Sequence, residues 1–265
     1  MSAAARVPKV VASDIDGTLI NSKGKVSLRT RAALDRAREQ GALLIFVTGR
    51  PPRWMDSVVE ETGASGLAIC ANGALVYDLG SGEVVRQHSL DQASAERLVK
   101  AIRAEIPGVS FAVESGVGFA HEPGYVPTWP APKSAVGDVA QLLLNPVAKL
   151  LVKHPERGPD DIHRIVAGLA GDDAIVTYSG DVLLEVSGAG ISKASTLEAL
   201  CVEYGVAPHE VVAFGDMPND VPMLAWAGHG VAVANAHPSV FEVADEVTAS
   251  NDDDGVALVL ERLYK

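Results

Sequence analysis

The chain has 265 residues, 48% of them hydrophobic and 21% charged, and carries a formal net charge of −12. This length allows one large domain or a core with a smaller insert, and the composition is that of a soluble globular protein. The charge argues against nucleic acid or an anionic membrane as the main partner, because both demand basic patches. It leaves room for a phosphorylated small molecule, since a bound divalent cation reverses the local field. No apolar run approaches the roughly 18 residues of a membrane span, and Met1–Arg6 lacks the apolar stretch of a signal peptide. Cys70 and Cys201 are the only cysteines, one in a strand-like run and one in a helix-like run. They read as two buried free thiols in a reducing, cytoplasmic setting.

Val10–Ser13 is a short apolar run rich in β-branched residues, the pattern of a buried parallel strand, and it ends in Asp14-Ile-Asp16-Gly-Thr18. Ser27 then caps a helix over Leu28–Glu39, which Gly41 stops. Leu43–Val47 is a second strand running into Thr48-Gly49-Arg50, and Pro51-Pro52 open a further helix. Leu67–Ala71 is a third strand, followed by Asn72-Gly73. Ala74–Tyr77 and Glu83–Arg86 flank Asp78–Gly82 as a hairpin. This βαβαβ opening implies a doubly wound, Rossmann-like parallel sheet.

Between residues 88 and 187 the pattern changes. A helix precedes Val109–Glu114 and Val117–His121, which alternate as an antiparallel pair around Ser115-Gly116. Glu122–Lys133 carries four prolines with Tyr125 and Trp129, and reads as an ordered loop. Helix, strand, helix and two strands follow, so the segment is a separate α+β unit with its sheet covered on one side. Ser187–Gly190 marks a flexible return. The α/β alternation then resumes with a helix near Lys193–Tyr204 and a strand at Val211–Phe214, which ends in Gly215-Asp216-Met-Pro-Asn219-Asp220. A helix over Asp220–Ala227, a strand over Gly230–Ala234 and a last helix to Tyr264 complete the chain. The expected fold class is α/β, with a discontinuous core of residues 1–87 and 188–265 and an inserted α+β cap domain of residues 88–187.

In an open α/β sheet, ligands gather at the carboxyl ends of the strands. Asp14 and Asp16 flank one residue at such an end, so one turn can aim both carboxylates into the same crevice. Gly17 permits a backbone geometry that other residues resist. A carboxylate facing a phosphate monoester can act as a nucleophile, and a second can protonate the leaving alcohol and later activate water. Thr48-Gly49-Arg50 offers a hydroxyl and amides to phosphate oxygens, although alone it reads as a strand-to-helix turn. Lys193, at a helix start, can neutralise phosphate charge, although a lone lysine there is ordinarily solvated. Asp216, Asn219 and Asp220 form a second acidic cluster. Asp216 can complete an oxygen-rich shell with Asp14 that suits magnesium, while Asp220 also reads as a helix cap.

Together these segments resemble the haloacid dehalogenase superfamily of phosphotransferases. Asp14-x-Asp16-Gly-Thr-Leu is similar to its first motif, Thr48-Gly-Arg to its second, Lys193 to its third and Gly215-Asp-x-x-Asn-Asp to its fourth. The insert between the second and third motifs is similar to a class IIB cap, which points to the Cof-type, sugar-phosphatase-like branch. Ala71-Asn-Gly-Ala74, Gly230–Ala236 and Asn251–Val256 extend the likeness to nearly the whole chain. The resemblance implies Asp14 as nucleophile and Asp16 as general acid/base. It implies that Thr48, Gly49 and Lys193 hold the phosphoryl group, with Asn219 nearby. Mg2+ would sit on Asp14, the backbone carbonyl of Asp16, and Asp216, with Asp220 orienting Lys193 or a metal-bound water. Arg50 and Asn72, and Glu114, His121, Tyr125 and Trp129 of the cap, are candidates to face the substrate. One departure is Ala194, where relatives carry glycine after the lysine.

The expected function is a magnesium-dependent phosphatase acting on small phosphorylated metabolites, sugar phosphates first. A phosphomutase on the same scaffold, similar to phosphomannomutases, is the alternative. A phospho-accepting module resembling receiver domains is a third reading, opposed by the acidic pair on the first strand and by the large insert. None of the seven histidines forms a spaced cluster for zinc, and neither nucleotide-binding glycine signature occurs. Asp252–Asp254 reads as a solvated loop capping the last helix. Oligomeric state is left open.

Overall fold

The computed structural model describes residues 7–63, 65–128, 131 and 133–265. The expectations for Met1–Arg6, for Trp129 and for part of the proline-rich loop lie outside these residues. In chain order the strands are β1 (Val10–Ser13), β2 (Leu43–Val47), β3 (Leu67–Cys70), β4 (Leu75–Asp78) and β5 (Glu83–Gln87). There follow β6 (Ser110–Ser115), β7 (Gly118–His121), β8 (Ala135–Val136), β9 (Lys149–Lys153), β10 (Ala174–Thr177) and β11 (Leu184–Gly188). The last three are β12 (Val211–Gly215), β13 (His229–Ala232) and β14 (Glu246–Val247).

The first sheet has the order β14-β13-β12-β1-β2-β3-β4-β5. Its strands are parallel from β14 to β3, and β4 and β5 add an antiparallel edge. Its apolar runs are buried on both faces because side chains alternate with period two. Val11, Phe46 and Phe214 point to one face, against the helices Leu28–Glu39 and Gly255–Leu263. Val10, Ala12, Ile45 and Ala213 point to the other, against Lys193–Glu203 and Val221–Trp226. The chain leaves β1 toward β2 on one side and returns to β12 on the other. The carboxyl ends of β1 and β12 therefore form the topological switch point where such sheets bind ligands.

The second sheet has the order β10-β11-β9-β6-β7-β8. It is antiparallel except for the β7–β8 pair. Phe111, Val113, Leu150, Val152, Leu184 and Val186 line one face and pack against the helices Gln92–Glu105 and Pro159–Ala170. The alternate residues, among them Glu114, Lys149 and Glu185, face the first sheet's carboxyl edge and line a shared cavity. The fold is thus a doubly wound Rossmann-like core with an α+β cap.

Local signals act as the sequence suggests in most places. Ser27 Oγ accepts from the Thr30 amide, and Gly41 ends that helix at φ +89°. Both cysteines are buried and free. Two details differ. Ser187 and Gly188 still pair with β10, so the return to the core begins at Ala189. Asp254 stands at the start of the last helix with φ +59°, yet its side chain makes no capping hydrogen bond. Asp252 instead accepts from the Ser22 amide, tying this loop to the one after β1. Among the described residues, no helix is long and apolar enough to cross a membrane.

Candidate active site

Asp14 follows β1 directly, and its amide donates to the Phe214 carbonyl of β12. Its Oδ1 accepts from the Lys193 ammonium at 2.6 Å, and the same ammonium reaches Asp220 Oδ1 at 2.6 Å. Lys193 is the first residue of its helix. Ser192 caps that helix by accepting from the Ser195 amide, so the helix start is fixed despite Ala194. Asp220 is fully buried, and its second oxygen accepts the amides of Asp216 and Met217. A Cβ on Gly215 would stand 2.5 Å from that of Asp220, so glycine is what lets the loop fold back so tightly.

Asp216 follows β12, and its Oδ1 accepts from the Thr18 hydroxyl at 2.7 Å. A Cβ on Gly17, which has φ +78°, would lie 2.3 Å from Asp216 Oδ2. The glycine is therefore needed both for its backbone conformation and for space. Burial pushes the Asp14 carboxyl well above the usual range; Lys193 opposes the shift while Asp220, Asp216 and Asp16 add to it. Burial, then Asp220, pushes Asp216 up to about 7 against the Thr18 hydrogen bond and Lys193. For Lys193 burial acts to lower the pKa, but Asp14 and Asp220 outweigh it and raise it, so the ammonium keeps its proton.

The single Lys193 ammonium faces more than one buried carboxylate. Asp14, Asp216 and Asp220 bring carboxylate oxygens within 4.8 Å of one another. Asp220 already accepts from Lys193 and two amides, which leaves Asp14 and Asp216 with the greater capacity for a cation. An all-oxygen donor set and mutual repulsion between carboxylates fit a hard divalent ion such as magnesium.

Thr48 follows β2 directly and is fully buried, and its hydroxyl accepts the Arg50 amide at 3.0 Å. That amide is thus not free for a ligand. The Arg50 guanidinium forks onto Asp16, with Nε to Oδ2 at 2.7 Å and Nη2 to Oδ1 at 2.6 Å. Of the two carboxylates in the first turn, Asp14 is buried and Asp16 is half exposed. The 3.6- and 2-residue periods do not reveal this split, because both residues lie beyond the strand.

Asp14, Asp16, Thr48, Gly49, Arg50 and Asn219 line a cavity of about 640 Å3 between the two sheets, while Lys193, Asp216 and Asp220 do not themselves line it. Glu114 and Tyr125 of the cap also line it. Glu114 is paired with Arg53, whose guanidinium lies 5.0 Å from the Trp54 ring centroid and 5.3 Å from that of Phe119. His121 is a correction. It does not reach the cavity; its Nδ1 is 2.7 Å from the Glu122 carbonyl oxygen, and its ring packs on Phe119 and Tyr125. Asn72 is fully buried and donates to Glu185 Oε2 at 2.9 Å rather than facing open space.

Sequence reasoning overlooked Lys149, Glu185 and Arg53. A signal was present for the first two: Lys149 opens an apolar run that Lys153 closes, and Glu185 is the one charge in Leu183-Leu-Glu185-Val. Alternation there puts the charge on the face opposite the helices. Arg53 follows two prolines, in the short 3-10 helix Pro52–Trp54, and has no comparable signal.

The family model for haloacid dehalogenase-like hydrolases matches residues 11–260. YxeH of Bacillus subtilis is 30% identical over 273 residues, which cover 96% of this chain and 98% of the relative. The pyridoxal phosphate phosphatase YbhA of Escherichia coli is 29% identical over 269 residues, covering 94% and 96%. Among solved structures, BT1666 of Bacteroides thetaiotaomicron, described among the phosphatases of the haloalkanoate enzyme superfamily, superposes with a TM-score of 0.83 at 25% identity. The match covers 99% of this chain and 97% of that one. The chain therefore belongs to the haloacid dehalogenase-like hydrolase family.

Proposed function

We propose that this chain is a magnesium-dependent phosphatase of small phosphorylated metabolites, working through a phosphoryl group carried on Asp14. The observation that carries the reading is Asp14 held against the buried Lys193 ammonium at the floor of a roofed cavity of about 640 Å3. An Asp14 oxygen bonds to phosphorus as the ester P–O bond breaks, and Asp16 gives a proton to the departing alkoxide. Water then attacks the same phosphorus, Asp16 takes its proton, and Asp14 is released with inorganic phosphate. Arg50 has to leave Asp16 for these transfers, because guanidinium pairing favours the ionised carboxylate. The substrate's phosphate offers Arg50 a replacement partner of the same forked geometry.

Lys193, Thr48 and Gly49 hold the phosphoryl group in this reading, with Asn219 beside it and Asp220 holding Lys193. Asp14, the backbone carbonyl of Asp16, and Asp216 would hold the magnesium ion, which supplies electrostatic stabilisation of phosphoryl oxygens when bound. The cap is taken as residues 88–188, seated on a core of 1–87 and 189–265, because Gly188 still pairs within the cap sheet. Two free buried thiols support a reducing, cytoplasmic setting.

Sugar phosphates are the first substrate class, supported by Asp56, Ser57, Ser179 and Asp181 in the cavity wall, which suit hydroxyl groups. A planar ring on the leaving group is the second, supported by Trp54, Phe119 and Tyr125 in the same wall and by the likeness to a pyridoxal phosphate phosphatase. Phosphate release from a panel of sugar, polyol, pyridoxal and flavin phosphates, with magnesium, tests both. Release from one class that is abolished by Asp14→Asn supports the reading. Interconversion of phosphate isomers without free phosphate would instead make the chain a mutase, and a stable phosphoprotein without turnover would make it a signalling module.

A further inference from the structure

The cavity wall holds an ion pair that the reaction above does not use. Lys149 and Glu185 project from the core-facing side of the second sheet, each 3% exposed, with Lys149 Nζ 2.5 Å from Glu185 Oε1. Two charges survive such burial only when their remaining hydrogen-bonding capacity is met. Here it is met from the other sheet. The Lys149 ammonium donates to the Gly49 carbonyl at 2.6 Å, and Asn72 Nδ2 donates to Glu185 Oε2 at 2.9 Å. Ser179 supplies a further hydrogen bond to Glu185. Asn72 sits at φ +57°, ψ +32°, in the left-handed region, and its Oδ1 accepts from Asn219 Nδ2 at 3.0 Å.

A carboxylate only accepts hydrogen bonds, whereas an amide accepts at one end and donates at the other. Glu185 therefore sets the direction of the whole relay. Asn72 has to turn its NH2 toward Glu185, and Asn219 its NH2 toward Asn72. The relay ends in the Asn219 carbonyl oxygen, which is buried and has no hydrogen-bond partner among the described residues. With no carboxylate at its head, the two amides lose this preference, since both can flip together.

We propose that Glu185 is a positioning residue: from the cap it fixes the Thr48–Arg50 loop through Lys149, and the orientation of the Asn219 side chain through Asn72. The inference rests on the phosphatase reading and deepens it. Glu185 lines the cavity, but its oxygens already accept from Lys149, Asn72 and Ser179, with which a leaving group would have to compete. Its removal should slow all substrates alike. A glutamine at this position can accept from Lys149 or from Asn72, but not from both.

The test is steady-state kinetics on the ester panel, with magnesium, for the wild type, Glu185→Gln, Glu185→Asp and Lys149→Met/Glu185→Gln. Each kcat is referred to the folded fraction measured by circular dichroism. Glu185→Gln should lower kcat roughly 10- to 100-fold, the scale expected when reacting groups are misplaced by about 1 Å. The order of preference among esters should not change, and Glu185→Asp should recover part of the loss. The double variant, which carries no unpaired buried charge, should remain slow. A changed order of preference would make Glu185 a leaving-group ligand and overturn the proposal. Wild-type kcat per folded molecule in the double variant would overturn it as well, by reducing the pair to packing. Absence of release by the wild type itself would instead overturn the phosphatase reading, and this role with it.

Discussion

Lys193 neutralises two buried carboxylates with one ammonium, Asp14 on one side and Asp220 on the other. Lys193→Met leaves both uncompensated, so urea denaturation should show a loss of about 3 kcal/mol, typical of breaking a buried pair. Its kcat should fall on the order of 10²-fold, as when a preorganised donor to a developing oxyanion is removed. Gly17→Ala forces a methyl group against Asp216 Oδ2. The half-saturating magnesium concentration should rise well above that of the wild type, and equal values would show that Asp216 does not hold the ion. Glu185 gives a pH prediction. Burial alone acts to raise its pKa, but Lys149, Asn72 and Ser179 outweigh burial and hold the carboxyl below its usual value. A depressed folded pKa contributes stability that is present above the unfolded value of about 4.3 and is lost as pH falls through the folded one. Urea midpoints should thus drop more steeply below about pH 4.3 in the wild type than in Lys149→Met/Glu185→Gln.

At the scale of elements, most of the site's scaffolding was legible because each signal is local. Val10–Ser13, Leu43–Val47 and Val211–Gly215 announce buried strands through composition alone, and their acidic or hydroxyl ends announce themselves by position. Ser192 shows how a cap positions chemistry. It shares a reciprocal pair of hydrogen bonds with Ser195 and fixes the turn that carries Lys193. Ser192→Ala should cost about 1 kcal/mol in urea denaturation, and an unchanged midpoint would show that the cap is dispensable. What was not legible depends on partners distant in sequence. Nothing near Asp16 in the chain reveals the Arg50 fork, 34 positions away. Asp254 fails as a side-chain cap because its left-handed backbone carries the side chain away from the helix amides and toward Thr30.

At the scale of the molecule, two sheets of different pairing enclose one cavity, and charged residues of the second reach across it. The sequence shows a change of pattern near residue 88 but not which cap strands face the core, since that follows from how the two sheets are seated. Arg53 with Glu114, and Lys149 with Gly49, join the units at neighbouring positions, since Glu114 and Lys149 are register partners on β6 and β9. Arg53 also rests on Trp54 and Phe119, where a leaving group would lie. Arg53→Met should therefore raise KM for the preferred ester about tenfold while kcat changes less, the pattern of lost ground-state binding. Asp14 carries the phosphoryl group in the proposed reaction, and rapid acid quench of a reacting mixture followed by peptide mass spectrometry would trap it there. A phosphoryl group should appear on the peptide bearing Asp14 during turnover and be absent from Asp14→Asn. Undiminished phosphate release by Asp14→Asn, with no phosphorylated peptide in either protein, would contradict this role.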